Sequence, residues 1–463
     1  MNETTEAKVK LNYPRTFLIG FGFLTIGLTW SIYNLKVPLL LEKFFPAFDW
    51  VDFVIGIIMV LDNITAIILQ PYFGALSDKT KTKFGKRMPY LMIGIPFAAI
   101  SFFLVPLSPN LAILIILIMC FNLMMALYRS PVVALMPDLT PSEVRAEGNA
   151  IINLMAGFGM IAAYLIGTFL LDIDPSGFTA FSVVVLIMIA CFLIVFFTIN
   201  ENKITNMMIE KYGPDFATDR TKLKKFRVKE KEEREGKKSF IQHFKENDTI
   251  MLFKEKEKSA LFMLLTVFTI VFAYNILETF FSLFATHVLG ISEGTASLLL
   301  LFLPLSFILF AIPAGKISEK HGRRKTIKVG FIIMIICFVV FVFFRQIPVI
   351  IIIFLIAGAG YSLININTIT VVWQLAPEGK IGAYTGIYYL FSALAAIISP
   401  LLAGFIFSVS GFALGTMRYF MIFPMILVCL LFGFFFMTRV KRGEVILSKE
   451  EVDNLKKIYS ASD

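Results

Sequence analysis

The chain reads as a succession of long apolar runs separated by short polar breaks. The runs cover residues 15–37, 52–75, 88–107, 111–136, 147–171 and 178–198; after a polar interval come 259–287, 292–314, 327–345, 348–375, 383–409 and 415–438. A helix needs roughly 20 residues to cross the hydrocarbon of a bilayer. None of the runs alternates polar and apolar positions as barrel strands do. Backbone groups in lipid must be satisfied within the spanning element. The pattern therefore predicts an all-α membrane protein of twelve transmembrane helices in two six-helix halves. The breaks at one face are short, as at Ser108-Pro109-Asn110 and Gly290-Ile291-Ser292, and the longest, from Lys36 to Trp50, is amphipathic.

Composition agrees with the pattern. The 463 residues are 57% hydrophobic and include 50 Phe, and the mean hydropathy is +0.80. The net charge of +10 raises the question of a nucleic-acid partner, but the placement of the charges answers it differently. Only Lys36, Lys43, Arg345 and Arg418 fall in segments expected outside; nearly all the other basic residues fall in alternate connections or at the termini. That asymmetry puts both termini in the cytoplasm and leaves the lipid bilayer, with no nucleic acid, as the expected surroundings. Cys120, Cys191, Cys337 and Cys429 are scattered through apolar runs, with no disulfide or metal-ligand spacing. The first apolar run is full length and has no small-residue cleavage site, so no cleaved signal peptide is expected.

The domain reading is an N-terminal half over 1–200, a cytoplasmic linker over 201–258, a C-terminal half over 259–440 and a cytoplasmic tail over 441–463. In the linker, Phe240, Ile241, Phe244, Ile250 and Phe253 are spaced among charges. An amphipathic helix at the membrane surface accounts for that spacing, and so does a solvated, partly helical linker.

One repeat organises the chain. After the second run comes Gly74-Ala75-Leu76-Ser77-Asp78, then KTKTKF, then Gly85-Lys86-Arg87. After the eighth comes Gly315-Lys316-Ile317-Ser318-Glu319, then Lys320-His321, then Gly322-Arg323-Arg324-Lys325. Parallel halves with a site between them follow from such a repeat.

These paired loops resemble the signature of the major facilitator superfamily, and the resemblance covers nearly the whole chain. It implies the major facilitator fold and alternating access. It also implies a conformational gate at the inner face, a lock of the outward-open state made by Gly74, Asp78, Gly85, Arg87 and Arg145 and echoed by Gly315, Glu319, Gly322 and Arg323. Glycines permit close helix approach there, and charges act on helix ends. The longer first loop, SDKTKTKFGKRMPY, and the stretch YRSPVVALMPDLTPSEVRAEGNA also resemble the glycoside–pentoside–hexuronide:cation symporters and sucrose transporters. In those proteins an Asp-Leu-Thr run is followed by an Arg and an Asn, here Asp138, Arg145 and Asn149. The implied substrate is a sugar. Two departures bear on chemistry. The Arg that sucrose transporters carry five residues before Asp138 is Val133 here, with Arg129 one turn earlier. The paired acids of melibiose-type sodium symporters fall on Ala66 and Gln70. A proton is therefore the expected coupling ion, in preference to sodium.

Charges inside the spans carry the candidate chemistry, because a charge at mid-membrane costs about 3 kcal/mol on an insertion scale and needs a cavity or a partner. Asp62 is the leading proton-coupling group, since a desolvated carboxylate can take up and release a proton linked to substrate and conformation. Glu278 is a second coupling site or a ligand for hydroxyls, and Asp138, at a helix end, is a third coupling candidate. Arg129 offers five fixed donors to a hydroxyl pair or a carboxylate. Sugar sites combine such groups with aromatic faces, so the substrate-binding candidates are Arg129, Asn63, Tyr33, Trp30, Asn275, Tyr274, Asn365, Gln374 and Trp373. A structural role, as ion pair, hydrogen bond or packing, stands beside each.

Three functions fit this pattern. The first is a proton-coupled symporter of a glycoside or other sugar. The second is a proton-coupled exporter of amphipathic compounds, which Asp62 and Glu278 also fit. The third is a non-transporting membrane sensor or scaffold. No nucleophile motif, phosphate loop or metal-ligand cluster suggests an enzyme, and no cofactor is expected. The inner (plasma) membrane is the expected location by analogy with the family.

Overall fold

The computed structural model describes residues 10–45, 49–141, 144–212, 258–377 and 381–444, and every regular element among them is helical. The long helices are α1 (Tyr13–Glu42), α2 (Val51–Lys79), α3 (Met88–Leu104), α4 (Leu111–Asp138), α5 (Arg145–Leu170) and α6 (Phe178–Thr198). After the short α7 (Glu201–Tyr212) come α8 (Ser259–His287), α9 (Glu293–His321), α10 (Arg323–Phe343), α11 (Ile347–Leu375), α12 (Ile381–Leu414) and α13 (Ile422–Arg439). Eleven continuous stretches are long and apolar enough to cross a membrane, and the last, Tyr384–Arg439, runs for 56 residues through both α12 and α13. The spans thus number twelve among the described residues. Leu186, Phe197, Ile312 and Phe343 are 69–77% exposed, a surface suited to lipid and costly in water.

Local chemistry sets the helix starts. The Asn12 side chain accepts from the Arg15 backbone N–H at 3.1 Å, with Pro14 in the first turn, and Asn110 does the same for Ile113 at 3.0 Å. Asp174 starts α6 by accepting from the Ser176 hydroxyl and from Thr179 N and Oγ1, the latter two at 2.8 Å. Those donors hold the Asp174 carboxyl well below the usual carboxylate range.

The helices form two compact units. The first comprises α1–α7, α8 from Tyr274, α9 up to Leu305, and Ala396–Met425; the second comprises the rest of α8 and α9, α10, α11, α12 up to Ala395, and α13 from Ile426. In the first unit, glycines let main chains touch. Gly27 of α1 lies against the Ala156 carbonyl of α5, and Gly159 of α5 lies against the Leu24 carbonyl of α1. Gly56 of α2 meets Pro400 O, and Gly404 meets Asp52 O. Small residues at helix crossings are the usual means of packing where lipid supplies no hydrophobic drive. In the second unit Gly330 of α10 meets the Gly360 carbonyl of α11 in the same way.

Two ends differ from the sequence expectation. Helix α1 continues through Lys36 to Glu42, and Lys36, expected in an outer connection, is fully buried. Its ammonium donates to Pro175 O at 2.8 Å and to Glu293 Oε1 at 2.7 Å, which offsets the cost of removing it from water. The last span begins at Ile422 rather than 415, because residues Gly415–Met421 form a 3-10 corner. That corner turns Arg418 and Tyr419 back onto Asp52, at 2.6 and 2.8 Å. The residues Phe240 to Phe253, expected as a surface helix, lie outside the described residues.

Candidate functional site

Within the spans of the apolar first unit, five helices contribute to a polar cluster around Asp62. Asp62 on α2 accepts from the backbone N–H of Asn63 at 2.6 Å and from its side-chain amide at 2.8 Å. Its carboxylate interacts electrostatically with Arg129 of α4 and Glu278 of α8. Glu278 adjoins Asn34 of α1, and Tyr164 of α5 adjoins both Glu278 and Ser31. Tyr33 of α1 interacts with Asp62 and with Asn122 of α4. Trp30, Tyr33 and Phe121 form an aromatic wall, with ring centroids 5.2–5.7 Å apart. Tyr274 and Asn275 lie half-buried about one turn before Glu278. The chemistry of the cluster follows from its charges. Asp62 lies within electrostatic reach of both Arg129 and Glu278, so with two carboxylates to one guanidinium one negative charge is in excess when both are ionised, and one proton balances it.

The remaining binding candidates belong to the second unit. Asn365 donates to the Tyr361 hydroxyl at 3.1 Å, and Trp373 Nε1 donates to Thr385 Oγ1 at 2.8 Å. Gln374 Oε1 is buried without a hydrogen-bond partner.

The first loop of the repeat is organised by Arg87, which is 2% exposed. Its guanidinium donates to Gly74 O at 3.3 Å, to Ser77 Oγ, to Asp78 and to Asp138 Oδ2 at 2.8 Å. Lys86 Nζ adds an ion pair to Asp138 at 3.3 Å. One side chain thereby ties the ends of α2 and α4 to the start of α3. Asp138, expected among the coupling groups, pairs with Arg87 and Lys86 in this loop. Arg145 braces the adjoining turn by donating to Thr140 O at 3.1 Å.

A residue that the sequence did not single out completes the loop. The Glu201 carboxylate, at the start of α7, accepts from Arg87 N at 2.9 Å and Met88 N at 3.3 Å, capping α3. It fits only because Gly85, at φ +110°, has no Cβ to meet it. The second half repeats this device. Gly322 has φ +90° and makes room for Glu444, which accepts from Arg324 N at 3.1 Å and caps α10. The counterpart of Arg87, two residues past the left-handed glycine, is therefore Arg324; Arg323, expected in that role, is the counterpart of Lys86. Arg324 donates to Lys441 O at 2.5 Å and lies 3.9 Å from the Glu444 carboxylate. Glu319 is exposed and, like Arg323, makes no ion pair among the described residues. Gly315 faces open space.

The opposite face of the first unit carries bonds that the sequence did not reveal. Beside Lys36–Glu293, Asp172 accepts from Ser292 Oγ and Gly294 N, both at 2.8 Å. Asp52 holds Arg418 and Tyr419, and Glu42 reaches Tyr419 at 3.2 Å and His287 at 2.8 Å. The segments that meet at this face are thus the ends of α1, α5 and α8, the starts of α2 and α9 and the corner before α13.

Comparison with known proteins places these features. The profile of the family described as Major Facilitator Superfamily matches residues 19–288 and 263–460. A general alpha-glucoside permease of Schizosaccharomyces pombe is 26% identical over 167 residues, which are 32% of this chain and 29% of the permease, so the match spans under a third of that protein. The class B tetracycline resistance protein of Escherichia coli is 23% identical over 414 residues, covering 88% of this chain and 89% of that protein. Among solved structures, a D-xylose-proton symporter superposes with a TM-score of 0.67 at 16% identity, over 93% of this chain and 99% of the symporter.

Proposed function

Since this chain belongs to the major facilitator superfamily and is a multi-pass membrane transporter of that fold, we propose that it carries a sugar together with a proton, by alternating access. The observation that carries the reading is the cluster of Asp62, Glu278 and Arg129 in an otherwise apolar bundle. Asp62 is the proton-coupling group and Glu278 its partner across the cluster. Arg129 acts on Asp62 through its charge in the empty protein and turns its donors to substrate hydroxyls when they arrive. Moving the guanidinium changes the field at Asp62, so substrate and proton binding become linked. Asn63, Trp30, Tyr33, Tyr274, Asn275, Asn365, Trp373 and Gln374 supply hydrogen bonds and aromatic faces. The alpha-glucoside permease match and the fold shared with a xylose–proton symporter support a sugar as substrate.

The halves over 1–200 and 259–440 are the moving bodies. The basic face, with both termini, is cytoplasmic by the positive-inside rule, and the protein resides in the inner (plasma) membrane. The loops around Arg87 and Arg324 are the cytoplasmic gate, and Asp138 anchors it. A second reading is export of amphipathic compounds, supported by the near full-length match to a tetracycline resistance protein.

The direct test adds maltose to an unbuffered anaerobic suspension of cells that produce the protein. Symport predicts a transient alkalinisation of the medium as protons enter with the sugar. No pH change with maltose, together with drug-dependent acidification of energised vesicles, contradicts it in favour of export.

A further inference from the structure

Asn122 lies on α4 in the middle of an apolar span and is 2% exposed. Neither its amide nitrogen nor its amide oxygen makes a hydrogen bond, although α4 offers backbone carbonyls that a mid-helix polar side chain can use. Asn367 of α11 does use one, donating to Leu363 O at 2.9 Å. The groups beside Asn122 share its condition. The Tyr33 hydroxyl lies beside the amide and is fully buried, and Trp30 Nε1 is buried and unpartnered as well. A buried polar group left unsatisfied costs about 1–3 kcal/mol, which an amide in mid-span with neither atom satisfied within its own helix carries unless a ligand meets it.

The chemistry of these atoms selects a ligand. An amide offers a donor pair and an acceptor, a phenol offers one of each, and an indole offers a donor. None of the three groups carries charge. Phe121, next to Asn122 in the chain, packs edge-to-face on Trp30 with centroids 5.7 Å apart and stacks on Tyr33, so aromatic rings border the group. Alternating donors and acceptors beside aromatic faces match a ring bearing vicinal hydroxyls and apolar C–H groups. They do not match a cation or an anion, for which Asp62 and Arg129 are at hand.

We propose that Asn122, with the Tyr33 hydroxyl and Trp30 Nε1–H beside it, is the specificity-determining group of the central site and recognises a hydroxyl of a neutral, polyhydroxylated ligand. This rests on the sugar reading above and deepens it, because it assigns hydroxyl discrimination to α4 and α1 and leaves charge balance to Asp62, Glu278 and Arg129. A site built around a substrate hydroxyl rejects the analogue that lacks it, because its buried polar groups are then left unpaired.

The test is exchange of labelled maltose, and of its monodeoxy analogues, across proteoliposomes holding the full chain and no ion gradient. In the wild type one analogue should show a KM about tenfold or more above that of maltose. In Asn122→Leu the KM for maltose should rise to match that analogue, whose own KM should stay within about twofold. Tyr33→Phe, which removes one atom, should shift KM in the same pattern and serves if Asn122→Leu fails to fold. An unchanged KM in both variants, or equal losses for maltose and every analogue, overturns the proposal while leaving the sugar reading intact. No maltose exchange by the wild type overturns both.

Discussion

At the scale of single residues, contrast decides what a sequence reveals. Asp62, Arg129 and Glu278 stand out as charges inside apolar runs, and the structure gathers them from three helices into one cluster. Glu201 and Glu444 are equally embedded in the protein's logic, yet each sits in a stretch rich in charges where one more acid gives no signal. Their roles emerge only with the left-handed glycines that make room for them. Arg323 and Arg324 are adjacent in a basic run, and no sequence argument tells which follows the glycine by the right interval. Lys36 was misplaced because its partner Glu293 is distant in sequence. The pair makes a prediction. Removing one member of a buried ion pair leaves an uncompensated charge, at a cost of about 3–5 kcal/mol, whereas replacing both by apolar residues is often near neutral. Lys36→Leu should therefore lower the melting temperature in detergent more than the double variant Lys36→Leu/Glu293→Leu. A double variant that is the less stable of the two would show that the pair is not the reason Lys36 is tolerated there.

At the scale of elements, the apolar runs located all twelve spans, because lipid demands length and continuity more strictly than water does. Ends were harder. The sequence signals an exit from the membrane by charge, so α1 was expected to stop near Lys36, and a buried ion pair carries it on to Glu42. The fifth run contains several glycines, Gly148 and Gly159 among them, and their presence alone does not tell which one a crossing needs. The structure shows which of them matter: Gly159 meets the main chain of α1, with Gly27 as its reciprocal, while Gly148 meets only side chains, the nearest being Met136. Gly159→Leu forces α1 and α5 apart, so it should cut folded yield and melting temperature sharply. Gly148→Ala meets only the end of a flexible Met and should fold normally. Thermal melts of the two variants, measured by tryptophan fluorescence, check the contrast. Equal stability would mean that the α1–α5 crossing tolerates separation.

At the scale of the whole molecule, the repeat in the sequence becomes a repeat in construction. Each half places a left-handed glycine before its third helix and covers it with a glutamate from beyond its sixth. The halves are not equal: the first loop ties Arg87 to two acids, Asp78 and Asp138, while the second engages one, Glu444. Substrate identity was not legible at this scale, because the fold is shared by transporters whose names record sugars and drugs alike. It resides in side chains such as Asn122, one polar residue in a long apolar run.

The measurement that bears most directly on the account is accumulation of labelled maltose in proteoliposomes under an inward proton gradient, with a sodium gradient as the other drive. The account predicts accumulation with protons, none with sodium, and loss of accumulation in Asp62→Asn with exchange retained. Accumulation that survives in Asp62→Asn, or that only sodium drives, would contradict it.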